Sequence, residues 1–449
     1  MSRRRQRNAL PQEPITADII GLNHQGRGIT KIAGKTMFVS GALPGESARI
    51  KYRAVFSQYD DGEALEIIDH PNPHRISPKC AHFAVCGGCA LQHMTLEQQR
   101  LHKENTLFEL IQRETQTTPK TKLAPLTGEA FGYRRKARLS VRHIPSKGPV
   151  LVGFRERFSN FVAVMHACEV LHPNVGQRIG QLREMLSAFT HKNDIPQLEI
   201  AIGDRKNVII VRHMRPLLVN EKNLLIEFAK QNQFQILSQS KGVNTIYSLY
   251  PENESLLLSY DLKDFDLTMS FYPWQFTQIN AEINQKMIKQ AIDLLDLQAN
   301  DTVLDLFCGI GNFSLPMAKS VKKVVGIEGE QQAIEMAQRN AKHNGIDNAE
   351  FFGFDLQNDP SHESWAQQRF DKVLLDPARS GAKEIIPWLK TWQPRKIIYV
   401  SCNPSTLARD CQLIMQQGYE LAAAGTMDMF PQTEHTEAMV LFEKSQTEQ

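Results

Sequence analysis

The spacing of apolar residues changes three times along the chain. From Glu13 to about Asp69, short alternating runs (Ile15 to Leu22, Lys35 to Val39, Ala48 to Lys51, Glu63 to Ile68) are punctuated by Gly21, Gly26, Gly28, Gly34, Gly41, Gly45 and Gly62. A period of two buries one face of each run. Several such strands this close together predict a small OB-like β-barrel. From Thr95 the period lengthens. Thr95-Leu96-Glu97-Gln98 has the form of a capping box, and Leu101, Leu107, Phe108, Leu110 and Ile111 form one stripe, so a packing helix is expected.

Residues from about 125 to 270 read as strand-rich: Ala137 to Val141, Val150 to Phe154, Phe161 to Val164, Leu198 to Ile202 and Val208 to Val211, with a covering helix near Gly176 to His191. The last third alternates strand and helix. Strands are expected at Val303 to Leu306, Val324 to Glu328, Phe351 to Phe354, Val373 to Leu375 and Ile397 to Val400, with a helix over 331–344 closed by Gly345. Leu421 to Gly425 and Ala438 to Phe442 follow as later strands. This pattern predicts a doubly wound parallel sheet with an antiparallel edge.

The expected organisation is therefore multidomain. A basic tail spans 1–12 and a barrel 13–70. A central β-rich domain takes 71–94 and 125–270, a helical segment packing on the catalytic domain takes 95–124, and a C-terminal α/β Rossmann-like domain takes 271–449.

Charge sharpens this picture. The net charge is only +3, but Arg3, Arg4, Arg5 and Arg7 open the chain, and between Lys120 and Arg157 ten Lys or Arg face only Glu129 and Glu156. Such clustering suits a polyanion, and beside Tyr133, Phe154 and Phe158 it suits phosphate contact with base stacking. Arg134, Arg135, Lys136 and Arg138 are the candidate RNA contacts, the alternative being a charged, protected edge strand. No apolar run reaches membrane-span length and no export signal follows the arginines, so a reducing, cytoplasmic compartment and no membrane partner are expected.

In that compartment the seven cysteines point to thiol chemistry or metal binding. Cys80-x5-Cys86-x2-Cys89 clusters three in ten residues, and Cys168 is the only other cysteine before the catalytic half. Close thiolates bind a soft metal or an iron–sulfur cluster, and this spacing suits zinc or [4Fe-4S] alike.

Asp305-x3-Gly309-x-Gly311 follows a strand, but Ser314 replaces the third glycine of a pyrophosphate cradle. Glu328 ends the second strand, where a carboxylate suits ribose hydroxyls, and Asp355 ends the third, where it could accept from an adenine amino group. The combination describes S-adenosylmethionine (SAM) better than NAD. The fourth strand ends in Asp376-Pro377-Ala378-Arg379, without the aromatic platform of exocyclic-amine methylation.

Cys402 ends the fifth strand, where open α/β sheets place their ligands. By position alone it is either a nucleophile or core filling. The methylation that needs a thiolate is that of a pyrimidine carbon. C5 of uracil is a poor nucleophile until a thiolate adds at C6, and a base must then remove the C5 proton. His435-Thr436-Glu437 offers two candidates for that base.

With these residues the chain resembles the bacterial RNA uracil-C5 methyltransferases. The resemblance is carried in order by Phe276-Thr277-Gln278-Ile279-Asn280, by Asp305 through Phe313, by Leu375-Asp376-Pro377-Ala378-Arg379, by Ser401-Cys402-Asn403-Pro404 and by His435-Thr436-Glu437. It implies an N-terminal TRAM barrel, a central domain with a [4Fe-4S] site and a class I SAM methyltransferase domain, the combination of the branch acting on 23S rRNA. By the same resemblance Cys402 is the nucleophile and Glu437 the proton acceptor. Gln278, Phe307, Asn312, Glu328, Asp355 and Asp376 match SAM-binding positions, Phe276 stacks near the target uracil, and Cys80, Cys86, Cys89 and Cys168 match cluster ligands. Cys308 and Cys411 match no catalytic role and are read as packing. A tRNA methyltransferase and a non-catalytic RNA-binding iron–sulfur protein are the competing readings. A radical-SAM enzyme is disfavoured by the five-residue first gap between cysteines. A monomer without an obligate protein partner is expected.

Overall fold

A computed structural model describes residues 10–445. The arginines of the expected basic tail lie outside them. The chain divides into two compact units, the first of residues 1–103, 154–163 and 431–435, the second of 104–153, 164–430 and 436–449.

In the first unit six strands form one sheet: Ile15–Asp18, Gly21–Leu22, Gly28–Ile32, Lys35–Ser40, Ser47–Val55 and Tyr59–Asp69. The stretch from Ile15 pairs with Ser47 to Ile50 at its start and with Gly28 and Ile29 at its end. It therefore bridges the two ends of the sheet and closes it on itself, which removes exposed edges. Met37, Val39, Ala48, Ile50 and Ile19 fill the interior. Gly62 is required there, because a Cβ would stand 2.6 Å from Ile50 Cγ2. The strand Gly28–Ile32 is an addition to the runs read from the sequence. Its alternation is masked by Thr30, which is polar yet buried.

A buried carboxylate fastens the exit from this sheet. Glu46 is fully buried and accepts from Leu43 N at 2.7 Å, Asn72 N at 3.1 Å and both Nε and Nη2 of Arg75. Burial pushes its carboxyl up, but the bonds from Arg75, Leu43 and Asn72 outweigh it and hold it below the ordinary value of 4.5. A lowered carboxylate stabilises the fold above its ordinary pKa, and that contribution fades as the pH falls through the folded value. Glu46→Ala leaves Arg75 half-buried without its carboxylate, with only Gly41 O as acceptor. It is expected to cost about 3 kcal/mol at neutral pH, with a smaller penalty near pH ~3, as read by urea unfolding at both.

The helix expected from Thr95 spans Leu96–Thr115. Its capping box is not formed: the Thr95 hydroxyl is buried without a hydrogen-bond partner, and the turn is closed instead by Gln99 N to Thr95 O at 3.0 Å. Leu107, Phe108 and Ile111 pack with Leu304, Val325 and Tyr399 of the second unit's core.

The second unit holds two large sheets. One runs Tyr247–Tyr250, Gln235–Gln239, Asn207–Arg212, Gln197–Ile202, Lys136–Arg142, Leu151–Gly153. Its strands Asn207–Arg212 and Gln235–Gln239 are parallel, so a crossover is required, and the helix Val219–Asn232 supplies it. That helix is not evident in the sequence, because Leu218 at its N-cap makes no side-chain cap bond and only Leu225, Phe228 and Ala229 form its buried apolar stripe.

The other sheet has the spatial order Ala349–Gly353, Lys323–Glu328, Thr302–Leu306, Lys372–Leu375, Lys396–Ser401, Glu437–Lys444, Tyr419–Met427, Thr121–Lys122. The first five strands are mutually parallel. Glu437–Lys444 runs antiparallel between Lys396–Ser401 and Tyr419–Met427. The reversed strand is thus interior, not the edge expected from sequence. A hairpin returning from Tyr419–Met427 inserts its second arm against Lys396–Ser401, where both faces can be buried. The insertion brings Glu437 level with Ser401 and Cys402, since Ser401 pairs with Ala438.

One hydrophobic core crosses the boundary expected at residue 270. It joins Val208, Ile210 and Leu237 to Met269, Phe271, Ile283 and Val400. Among the described residues no helix is long and apolar enough to cross a membrane.

Candidate active site

The strand Lys396–Ser401 ends in Cys402, and the helix Pro404–Met415 begins two residues later. Pro404 occupies the first helical position, where its missing N–H costs nothing, and the Asn403 side chain accepts from Ser405 N at 3.1 Å as the N-cap. Ser401 Oγ accepts from Asn403 N at 3.1 Å. This tight turn leaves Cys402 partly exposed, whereas Cys308 and Cys411 are buried. A Cβ on Gly326 would meet Cys308 Sγ at 3.0 Å, so that sulfur fills space between strands.

Two acids and one guanidinium converge at Cys402. Burial pushes the thiol up from its ordinary 9, and Glu437 and Asp376 push it further. Arg379 opposes them by its charge and by a hydrogen bond. Glu437 is 4% exposed and one of its oxygens, Oε2, has no hydrogen-bond partner. Burial first, then Asp376, raises its carboxyl to about 8, with Arg379 again opposing. Asp376 is raised to about 7 by burial. An unpartnered carboxylate oxygen costs several kcal/mol to keep ionised in a buried site unless a ligand completes it. That cost is consistent with a group kept for proton transfer.

On the other side of Asp376 lies the glycine loop. Phe307 has φ +65°, a left-handed conformation uncommon for an aromatic residue, at the end of its strand. Gly309 and Gly311 also have positive φ. Asp305 is fully buried. It accepts from the Ser314 hydroxyl and keeps its other oxygen unpartnered, and burial raises it to about 7. Ser314, which breaks the dinucleotide pattern, thus serves Asp305. Glu328 accepts from Gly309 N at 3.1 Å and Glu330 N at 2.9 Å, pinning the glycine loop to the second strand. Asp355 is exposed, with Oδ1 accepting from Gln357 N at 3.0 Å. Gln278 is partly buried and Phe276 is 74% exposed, a large aromatic face open to solvent.

Asn312 is committed inward. Its Oδ1 accepts from Tyr260 Oη at 2.8 Å and Asn284 Nδ2 at 3.0 Å, and its Nδ2 donates to Asn284 Oδ1 at 2.9 Å. The side chain thus holds the loop, leaving the backbone to face a ligand. Asn284 and Tyr260 are absent from the sequence-derived site. Arg379 closes the Asp376-Pro377-Ala378-Arg379 motif, where residue type and spacing assign it no role.

Of the candidate RNA contacts, Arg138 is exposed and lies 3.5 Å from Glu199. Arg135 is ion-paired with Asp204, and Arg134 donates through Nε to Lys136 O at 3.1 Å. Lys136 turns inward: its ammonium donates to Gln275 O and burial lowers it to about 8. Lys136 therefore buttresses the turn that presents Phe276.

Cys80, Cys86 and Cys89 lie in the first unit, and Cys168, buried, in the second. Gly88 N donates to Cys86 Sγ at 3.3 Å. Arg157 Nη2 donates to Cys89 O at 2.8 Å and its charge favours the Cys86 thiolate, which burial disfavours. An N–H···S bond and a guanidinium are what ligating thiolates need, although no set of three His, Cys, Asp or Glu stands in metal-holding geometry among the described residues.

The strand order, with its inserted reversed strand and the glycine loop between carboxylates, defines a Rossmann-like methyltransferase. The solved tRNA (uracil-54, C5)-methyltransferase of Pyrococcus abyssi, in complex with S-adenosyl-L-homocysteine, has this fold: TM-score 0.71, 22% identity, over 95% of this chain and 100% of that one. Residues 220–445 match the family model of tRNA (uracil-5-)-methyltransferase. Proteins named 23S rRNA (uracil(1939)-C(5))-methyltransferase RlmD are similar throughout. The one from Hahella chejuensis is 45% identical over 99% of this chain and 100% of its own. That from Alcanivorax borkumensis is 44% identical over 98% and 99%. The chain belongs to the RNA uracil-C5 methyltransferase family.

Proposed function

We propose that this protein methylates C5 of a uridine in 23S rRNA, the position that its relatives' names give as 1939. The supporting observation is the partly exposed Cys402 at a strand end, beside Arg379 and the buried carboxylate of Glu437, whose Oε2 has no hydrogen-bond partner. Gln278, Phe307, Asn312, Glu328, Asp355 and Asp376 are the residues assigned to SAM, which supplies an electrophilic methyl group when bound. Glu328 suits the ribose hydroxyls. Phe276 offers its face to a base.

Cys402 acts as a thiolate and adds to C6 of the uracil, and the C5=C6 electron pair passes into an enolate. C5 then takes the methyl group as the methyl–sulfur bond breaks. Glu437, ionised, removes the C5 proton; that C–H pair re-forms C5=C6 as the bond from Cys402 to C6 breaks. The protein regains its thiolate, and Glu437 holds one proton to release to solvent. Arg379 lowers the cost of both negative charges.

The closed sheet of residues 15–69 fits a TRAM-type RNA-binding barrel, and Arg134, Arg135 and Arg138 extend a basic surface for RNA. Cys80, Cys86 and Cys89, with Cys168 as the fourth ligand by family resemblance, are assigned to a [4Fe-4S] cluster. Methyl transfer to an enolate is a two-electron polar reaction, so the cluster's role is structural or RNA-positioning. Cys86→Ser is expected to abolish folding or RNA binding of the full-length protein. Lost methyl transfer with folding, iron content and RNA affinity all intact would contradict that role.

Radioactive SAM with 23S and tRNA transcripts side by side tests the substrate. Label confined to tRNA would favour the tRNA reading that the family model's description suggests. Label in neither, with no covalent adduct to 5-fluorouracil RNA, would favour a non-catalytic RNA-binding protein.

A further inference from the structure

Arg379 lies in the loop 376–382, and Cys402 at the junction of the next strand and helix. The helix after Cys402, with its N-cap, is tied to that loop at four residues. Asn403 Nδ2 and Thr406 Oγ1 both donate to Arg379 O, at 3.0 and 3.1 Å. One turn on, Arg409 Nη2 donates to Ser380 O at 2.9 Å. Asp410, fully buried, accepts from Ala382 N at 2.7 Å through Oδ2. The same Oδ2 accepts from Tyr399 Oη at 2.6 Å, while Oδ1 accepts from Arg409 Nε at 2.7 Å.

Asp410 is therefore the junction of the strand before Cys402, the helix after it and the loop bearing Arg379. Gly381, with φ +81°, lets the loop come this close: a Cβ there would lie 2.4 Å from both Arg409 Nη2 and Asp410 Oδ2. Asp410 is not among the groups acting on Cys402, which are Glu437, Arg379 and Asp376.

We propose that Asp410 is a positioning residue that holds Arg379 in register with Cys402. Resting on the reading of Cys402 as nucleophile, the inference is that the catalytic thiol and its counter-cation are set against each other by one hydrogen-bonded unit. An ion pair within the unit, the buried Asp410 with the partly exposed Arg409, helps to keep the loop in one conformation.

The test is alkylation of Cys402 by iodoacetamide in the full-length protein across about pH 6 to 10, quantified on its peptide by mass spectrometry. Methyl-transfer kinetics run beside it. Asp410→Asn is expected to raise the alkylation midpoint by about half to one pH unit as Arg379 loses its position. The expected effect on turnover is a fall in kcat of about tenfold, with SAM affinity changed less than about twofold. Thr406→Val, at a half-buried site that tolerates an isosteric change, shifts the midpoint the same way by less and serves if Asp410→Asn does not fold.

An unchanged midpoint in the folded variants overturns the inference, even if melting temperature falls, since that is all a merely structural role would move. The nucleophile reading fails separately, if Cys402→Ala retains turnover.

Discussion

Cys402→Ala is expected to abolish methyl transfer and to leave SAM binding within about twofold of the wild type by calorimetry. The loss should be large, on the order of four decades or more, because without C6 addition C5 is never activated and no neighbouring group can replace the thiolate. The turn geometry supports a clean experiment. Pro404 and the Asn403 cap set the helix start independently of the Cys402 side chain, and the thiol is partly exposed, so its removal opens no buried cavity. 5-Fluorouracil RNA, which cannot lose its C5 substituent as a proton, should trap wild-type protein covalently and fail to trap the alanine variant. Retained methylation would sink the covalent mechanism outright.

Glu437→Gln should separate addition from elimination. Cys402 and the methyl donor remain, so the C6 adduct forms and is methylated, but the C5 proton stays. Full-length protein is then expected to accumulate covalently bound RNA on denaturing gels while turnover falls by about 10³-fold or more. The pH dependence follows from the site. Glu437 is held at about 8, chiefly by burial, and must be ionised to accept a proton. In the wild type kcat/KM should therefore rise with pH through that region, in the same direction as thiolate formation at Cys402.

Stability should move the other way. The folded protein holds the Glu437 proton more tightly than the unfolded chain, whose value is near the ordinary 4.5, so between 4.5 and about 8 rising pH favours the unfolded state. Glutamine cannot ionise, so the variant's melting temperature should decline less across that window. A variant that turns over normally, or that shares the wild-type slope, would remove Glu437 from its role.

Much of the strand–helix alternation was legible because buried parallel strands are short continuous apolar runs bounded by turn residues. Val303 to Leu306, Val324 to Glu328 and Ile397 to Val400 fall within strands of the sheet, and the helix closed by Gly345 spans Gln331–His343. Less legible were elements defined by partners distant in sequence. Thr95 looked like a cap, but its hydroxyl is buried without a partner. The helix Val219–Asn232 has an apolar N-cap, Leu218, whose side chain makes no cap bond, and only the parallel pairing of the strands it connects demands it.

The sequence by itself determined which chemistry the protein carries. Cysteine before Asn-Pro at a strand end, an acid in the His-Thr-Glu run and carboxylates closing successive strands are properties of residue type and local period. Only the tertiary structure decided how those groups act. Insertion of Glu437–Lys444 beside Lys396–Ser401 brought Glu437 level with Cys402, in a place dry enough to raise its carboxyl to about 8. Packing turned Lys136 from a candidate RNA contact into a half-buried support and Asn312 into an inward brace. It also showed that Arg379 faces both acidic groups and that Asp410 holds its loop. The physical reason is that residue type sets what a side chain can do, whereas burial, charge and hydrogen-bond partners from distant segments set its proton affinity and its direction.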